Sequence, residues 1–578
     1  MKNHFNRIYN SIKYRYNGLP NKIQIIIIAL SVSLIYILPL LTISNGVLNG
    51  DDLHFHIDRM LGLSSIWKSP VNFRTFYKVG QGVNYFYPYI TYYPYYLLYR
   101  LTHSFYMGWM LYLYFLTTIT YLIAYYSSKN ITKNFFVAHL FAIFYVFASY
   151  RLDNIVIRFA IGEAIAITFL PLVFYGLYLI IKGNYKKWYY LAFGMTLVIY
   201  SHILSSLLTA IIVGAIFLTT IWFTNKRGLR TYHFSLAVAA TFLMSSFQIL
   251  PMLEQFHFTS INNPGGDSLN LTTKPLSALF TYSLTNDLPM HVPGLLVLVC
   301  LVLSLFYIRK FKFEDFYLSV WVVILILLES TIVKWPDSPK NFINVIQFSW
   351  RLNSYITLFS LFLASKWIAN LRFKFKQQGI ILAIILLSIL NFTSVSKTLY
   401  NTFSYPPNVV GELSYRNGLH KLTNSVLLKD YINNSENDNR EFSDQNKKAS
   451  HKIFINDTEE ELLGKFSFKD AYVRGTITND KESEKIIELP FYRYKGQVVT
   501  VDNRLVSSAL SKSGSTAIHL PNGVHEVRVT YYYTAVARVA FAISIIVIIV
   551  TIIYAVLYHL IEKHRIAFKI RQGLLIYY

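Results

Sequence analysis

The sequence predicts an α-helical polytopic membrane protein of about twelve spans, with an external C-terminal β-sandwich domain before the last span. Three observations predict it. The chain has 578 residues, 54% hydrophobic and only 15% charged, which is the balance of an integral membrane protein rather than a soluble domain. Apolar runs of roughly twenty residues, enough to cross the hydrocarbon, recur from residue 23 to residue 559. Residues 471–531 instead carry apolar–polar alternation with the period of two that marks half-buried strands.

Residues 1–22 hold Lys2, Arg7, Lys13, Arg15 and Lys22 and no acid, so the N-terminus is expected in the cytoplasm. The run 23–43 is long enough to span and is not followed by a small-residue cleavage pattern; it is expected to remain as an anchor. Further runs lie near 105–126, 134–150, 159–181, 187–202, 204–223, 231–251, 292–308, 316–333, 351–370, 378–397 and 537–559. The multi-span domain is thus 23–397. Basic residues in the intervening loops, such as Lys182, Lys186 and Lys187, or Lys226, Arg227 and Arg230, fall on one side if 85–102 does not span. Its two prolines and many tyrosines suit an interfacial segment, so 44–104 is read as one external loop. Residues 252–291 contain the turn Pro264-Gly265-Gly266-Asp267. Residues 398–536 form an external soluble domain. Its stretch 433–448 is polar enough for a linker; strands are expected at 471–478, 496–501, 517–520 and 524–531. The basic tail 560–578 returns to the cytoplasm.

The formal charge of +24 does not signal nucleic acid, because most of the Lys and Arg sit in short loops where they orient the spans. The 46 Tyr and 43 Phe include the expected interfacial belts. Cys300 is the only cysteine, which excludes an internal disulfide.

The organising stretch is Gly50-Asp51-Asp52-Leu53-His54-Phe55-His56-Ile57-Asp58-Arg59, directly after the first span. Ionisable groups packed at a membrane boundary are costly and mark a functional hypothesis. On a helix Asp52, His56 and Arg59 share a face, with Asp51 and Asp58 turned elsewhere. Asp51, Asp52 and His54 offer oxygen and nitrogen ligands for a divalent metal such as Mg or Mn, although they do not all face one point and no HxxxH or CxxC spacing is present. Other polar residues against apolar surroundings are Arg151, Asp153, Arg158 and Glu163, then His202, Glu254 and His257, then Gln347, Trp350 and Arg351. Singly, each reads as a snorkelling, dipole-complementing or packing group. Together they suggest chemistry: a carboxylate takes a proton from an acceptor hydroxyl, and arginines bind a phosphate leaving group bidentately. No phosphate loop, dinucleotide fingerprint, GxSxG elbow or zinc-protease helix is present.

An Asp just after the first span, running into interfacial helices, resembles the GT-C superfamily of membrane glycosyltransferases. More closely, the chain resembles the bacterial YfhO-like membrane proteins, some of which carry a 6-pyruvoyl-tetrahydropterin synthase-related label. The matching pieces, in order, are the Gly50–Arg59 stretch, Asn84-Tyr-Phe-Tyr-Pro88, Tyr150-Arg-Leu-Asp153, Arg158-Phe-Ala-Ile-Gly-Glu163, Phe169-Leu-Pro171, Ser201-His202, Gln347-Phe-Ser-Trp-Arg351 and Leu489-Pro-Phe-Tyr-Arg-Tyr-Lys-Gly496. Ser349 and Asn84 depart from the Pro and Gly common at those places.

The resemblance implies inverting transfer of a sugar from a polyprenyl-phosphate-linked donor to an envelope glycan or lipid acceptor, a teichoic acid for example. The reaction would lie outside the bacterial plasma membrane. Asp52 is the implied base, with Asp51 the alternative; His56, Arg59, Arg158, Glu163, His202 and Arg351 would bind substrate. Membrane lipids are the other expected partners, and no cofactor beyond the candidate metal is implied. Two other function classes fit the composition: a transporter or flippase of lipid-linked sugars, for which Glu329 inside an apolar run argues, and a non-catalytic envelope assembly factor acting through the β domain.

Overall fold

A computed structural model describes residues 20–43, 46–48, 50–262, 268–307, 309, 312–336, 346–370, 376–400, 409–411, 448–455 and 460–571. Outside these lie most of the basic N-terminal stretch, the Pro264–Asp267 turn and nearly all of the expected linker 433–448.

Among the described residues, seven helices are long and apolar enough to cross a membrane: Asn21–Thr42, Phe105–Thr132, Phe135–Val156, Ile161–Ile181, Ile203–Phe223, Gln378–Thr398 and Ala535–His564. An eighth crossing is formed if Arg227–Met244 and Ser246–Phe258, bent by 68° at their junction, count as one broken span. The remaining expected spans are helical too but do not meet that test. Tyr189–Ile199 and Leu295–Tyr307 have 11 and 13 residues, about 17 and 20 Å at 1.5 Å per residue, against about 30 Å of hydrocarbon. Phe313–Glu329 has 17 residues, and Asn353–Asn370 carries Ser354, Thr357, Ser360 and Lys366 along its length.

The chain forms two compact units. The first comprises 1–51, 97–172 and 267–415. In it the helix Phe105–Thr132 packs on Phe135–Val146 and on Asn21–Ile43, while Asn353–Asn370 packs on Phe135–Val146, Leu295–Tyr307 and Phe313–Glu329. Small hydroxyls stitch these apolar faces: the Thr118 hydroxyl donates to Ser33 Oγ at 3.1 Å, and Thr120 and Thr168 are 2.8 Å apart. Between apolar helices such polar pairs and close packing supply cohesion that burial alone does not. Strand β1, Gly46–Leu48, pairs antiparallel with β2, Val409–Gly411.

The second unit comprises 52–96, 173–266 and 416–578. Among the described residues its β domain has two five-stranded antiparallel sheets. One has the order β10 (Ser508–Leu510), β11 (Ser515–Leu520), β7 (Lys485–Tyr492), β3 (Ile453–Ile455), β4 (Glu461–Leu462); the other runs β5 (Gly464–Phe468), β6 (Tyr472–Asn479), β12 (Gly523–Tyr531), β8 (Gln497–Val501), β9 (Arg504–Val506). The four expected strands are β6, β8, β11 and β12. Strand β7 escaped the pattern because its last residues are buried consecutively and Pro490 sits in it. The register shifts there between Ser515 and Thr516, which is how a sheet accommodates a residue with no N–H. The Asp502-Asn503 turn between β8 and β9 has φ of +49° and +62°, the primed hairpin geometry that Asp and Asn tolerate.

Val71, Phe73, Val79, Tyr85 and Phe86 join the inner faces of both sheets in one apolar core. The Phe73 N–H donates to the Asp470 carbonyl at 3.0 Å, and the Tyr492 N–H donates to the Val79 carbonyl at 3.0 Å. Phe491, Tyr492 and Tyr494 are buried in that core. The segment 83–102 forms two short helices, Val83–Phe86 and Tyr93–Thr102.

Candidate functional site

In the first unit the helix Ser149–Val156 ends as the N–H groups of Ile157 and Arg158 both turn back to the Asp153 carbonyl, at 2.9 and 3.0 Å. Phe159 then takes φ +52°, and the helix Ile161–Ile181 begins with Glu163 in its first turn, where the helix dipole favours a carboxylate. This tight reversal brings Arg158 back onto Glu163. Arg158 Nη1 donates to Glu163 Oε2 at 2.9 Å, to Asn154 Oδ1 at 2.8 Å and to Tyr150 Oη at 3.4 Å. Tyr150 Oη donates to the other oxygen, Glu163 Oε1, at 2.5 Å.

A second guanidinium converges on the same carboxylate: Arg351 Nε lies 3.5 Å from Glu163 Oε2. Arg351 also donates to the Ile346 carbonyl at 2.6 Å and to Gln347 Oε1 at 2.8 Å. Glu163, Arg158 and Arg351 are only 1%, 5% and 6% exposed, so the three charges act on one another with little screening by water. Two guanidiniums on one carboxylate leave the trio with net positive charge. Phe348 and Trp350 stack at 4.4 Å beside them, with the Arg158 guanidinium 5.8 and 6.0 Å from the two rings.

The sequence stretch after the first span reaches this cluster through its backbone. The Asp51 N–H donates to the Ile157 carbonyl at 3.0 Å. Gly50 has to be glycine there, because a Cβ would meet the Ile157 oxygen at 2.7 Å and Phe159 Cβ at 2.8 Å. Asp51 itself is exposed.

Asp52 onward belongs to the second unit. Asp52 occupies the position before the helix Leu53–Gly62, is exposed, and accepts the His56 N–H on its carbonyl at 3.0 Å. His56 and Arg59 lie on the buried side of that helix. Arg59 Nη1 donates to His56 Nδ1 at 3.0 Å and Nη2 donates to the Pro88 carbonyl at 2.7 Å, while its guanidinium lies 3.8 Å from the Tyr87 ring centre. Burial, then the neighbouring Arg59 and His202, push the His56 imidazole well below its usual range, so it stays neutral. His202 caps the helix Ile203–Thr220, its Nδ1 accepting the Ser205 N–H at 3.3 Å. His56, Arg59 and His202 therefore have packing and capping duties in this conformation. Asp58, turned from Asp52 as the helical spacing required, is the buried carboxylate of the stretch: the Phe76 N–H donates to Oδ2 at 3.2 Å, and burial raises its pKa well above the usual carboxylate range.

Among the described residues no three His, Cys, Asp or Glu side chains gather as a metal ion requires. Asp51, Asp52 and His54 do not form such a group, because Asp52 ends a turn while His54 rides the helix behind it.

The sequence reading missed His291. Its Nδ1 donates to both Asp153 oxygens at 3.1 and 3.0 Å, and its ring packs on Trp350 at 4.6 Å. Asn353 Nδ2 donates to the His291 carbonyl at 2.9 Å and to Glu329 Oε1 at 2.7 Å. Lys274 Nζ lies 5.3 Å from the Trp350 ring centre; burial lowers the pKa of its amine, opposed by Glu329 and Asp153. No local spacing announces either residue, since both sit singly in the loops of 252–291.

A family model described as 6-pyruvoyl-tetrahydropterin synthase related domain, membrane protein, matches residues 83–403, more than half of the chain. The chain belongs to this family. It is accordingly a membrane protein, as its apolar helices also indicate. The matched stretch contains Tyr150, Asp153, Arg158, Glu163, His291 and Arg351; Asp51, Asp52 and the β domain lie outside it. No curated protein matches the chain.

Proposed function

We propose that the protein is a GT-C-type, YfhO-like glycosyltransferase of the bacterial plasma membrane. It moves a sugar, with inversion, from a polyprenyl-phosphate donor to an external envelope glycan or lipid, a teichoic acid being one such acceptor. The observation that carries the reading is the convergence of Arg158 and Arg351 on Glu163, at 2.9 and 3.5 Å. A buried, net-positive trio is suited to draw the phosphate that leaves the sugar, with Glu163 holding both guanidiniums in place until substrate arrives. The Asp51 N–H bonded to Ile157, the residue before Arg158, supports a place for Asp51 in the same chemistry. Asp52, favoured by the family resemblance, or Asp51 takes the proton of the acceptor hydroxyl. About twelve crossings, with both termini cytoplasmic and the 44–104 loop and β domain outside, complete the proposal.

Glu329, buried with Asn353 bonded to it at 2.7 Å, favours a second reading as a carrier of lipid-linked sugars. The test is a comparison of released envelope glycopolymers, by NMR, from wild type and a deletion strain. Loss of one sugar substituent, with lipid-linked sugar accumulating unspent, supports the transferase. Unchanged glycans contradict it, and donor trapped on the cytoplasmic leaflet favours the carrier.

A further inference from the structure

We propose that His291 is a catalytic residue that delivers a proton to the phosphate released from the donor, with Asp153 positioning it; this rests on the transferase reading. His291 is non-glycine with φ +52°, a backbone state that persists only where surroundings hold it. Here its carbonyl is bonded by Asn353, its Nδ1 by Asp153 and its ring face by Trp350. Three residues on, Gly294 at φ +85° lies so close to the helix carrying Asp153 that a Cβ would stand 2.3 Å from Ser149 Cβ.

The exposure is asymmetric. The Asp153 side chain is 1% exposed and that of His291 16%. A carboxylate can only accept, so Nδ1 carries a proton and Nε2 is the nitrogen left for exchange. No described residue bonds Nε2. A carboxylate behind an imidazole whose other nitrogen is open is the arrangement of a proton-transfer group. A purely structural pair would be expected to bond both nitrogens.

The neighbours say what it serves. Lys274 and Arg158 lie 5.3 and 6.0 Å from the same Trp350 ring that His291 packs on. His291 thus stands among cations where an anionic phosphate would be drawn, with Asp153 and, through Asn353, Glu329 as the facing acids. In the step, the anomeric C–O bond to phosphate breaks and its electron pair stays on the phosphate oxygen. The acceptor oxygen forms the new C–O bond. Its proton passes to the proposed aspartate base, while His291, entering the step as the imidazolium with its Nδ1–H held by Asp153, passes its Nε2 proton to the released phosphate. Water returns the proton from the aspartate to His291, so no further reactant is needed.

The test uses the full chain in detergent and a long-chain polyprenyl monophosphate as probe, followed by tryptophan fluorescence. His291→Asn keeps a donor for Asp153 but is too short to reach the Nε2 position; His291→Gln reaches that position but cannot transfer a proton. The expected result is about tenfold weaker binding in His291→Asn, the worth of one charge-assisted hydrogen bond. Near wild-type binding is expected in His291→Gln, together with loss of the sugar substituent in cells. In the wild-type protein, the probe should block carbethoxylation of His291 and an uncharged polyprenol should not. Equal modification with and without bound probe overturns the His291 assignment and leaves the transferase reading standing. Failure of the wild-type protein to bind the probe overturns both.

Discussion

The backbone N–H of Asp51 donates to the carbonyl of Ile157 at 3.0 Å. The bond joins the residue that closes the chain's first segment of the first unit to the turn that sets Arg158 against Glu163, across more than a hundred residues of sequence. It is a backbone bond, so side-chain substitution at Asp51 leaves it intact, whereas a side chain at Gly50 would disturb it. Gly50→Ala would place a methyl group 2.7 Å from the Ile157 oxygen. The expected outcome is a folded protein with transfer reduced on the order of a hundredfold, since a displacement of about 1 Å at a reacting geometry costs that much. A transfer assay at equal membrane expression checks it; unchanged activity would detach Asp51 from the chemistry.

Glu163→Gln removes the carboxylate that two guanidiniums share. Breaking a buried ion pair costs about 3–5 kcal/mol, so the thermal midpoint of the detergent-purified protein should drop by several degrees. Asp52→Asn, at an exposed position, should stay within about 0.5 kcal/mol of wild type. Equal midpoints for the two variants would contradict the buried-trio account.

Asp58 contributes a pH dependence to the stability of the second unit. Burial raises its folded-state pKa, the bond from the Phe76 N–H only partly opposing it. The folded chain then holds this proton more tightly than the unfolded chain. The stability it contributes is fully present below the unfolded pKa, about 3.9, and is lost as pH rises through the folded value. The wild-type midpoint should therefore fall relative to Asp58→Asn as pH is raised from 4 to 8. Parallel curves across that range would remove Asp58 from the balance.

Phe73 ties the loop after the first span to the β domain, its ring 5.6 Å from Phe491 and 5.8 Å from Tyr531. Phe73→Ala should cost about 3–5 kcal/mol. Hydrogen exchange should rise in β7 and in residues 66–92 together, because they share one core. Faster exchange in the loop alone would show that the two are not one cooperative body.

The sequence made the membrane class legible because apolar runs of span length leave few alternatives, and it made β6, β8, β11 and β12 legible through their alternation. At 187–202 and 292–308 it read apolar runs of span length, where the described helices, Tyr189–Ile199 and Leu295–Tyr307, have 11 and 13 residues. Arg158, Glu163 and Arg351 stood out as charges in apolar surroundings, and the structure brings them together. His56 and Arg59 stood out for the same reason, yet they bond each other. Composition cannot tell a charge kept for a ligand from one satisfied within the fold. His291 and Lys274 were invisible because loop closure, rather than local spacing, delivers them to Trp350.

The most direct test is transfer by Asp52→Asn, Asp51→Asn and wild-type protein at equal expression in a deletion strain, read by mass spectrometry of the released envelope polymers. The account predicts that wild type restores one sugar substituent and that at least one of the two variants, folded and inserted, does not. Full restoration by both would contradict an aspartate base in the stretch after the first span, and with it the transferase proposal in its present form.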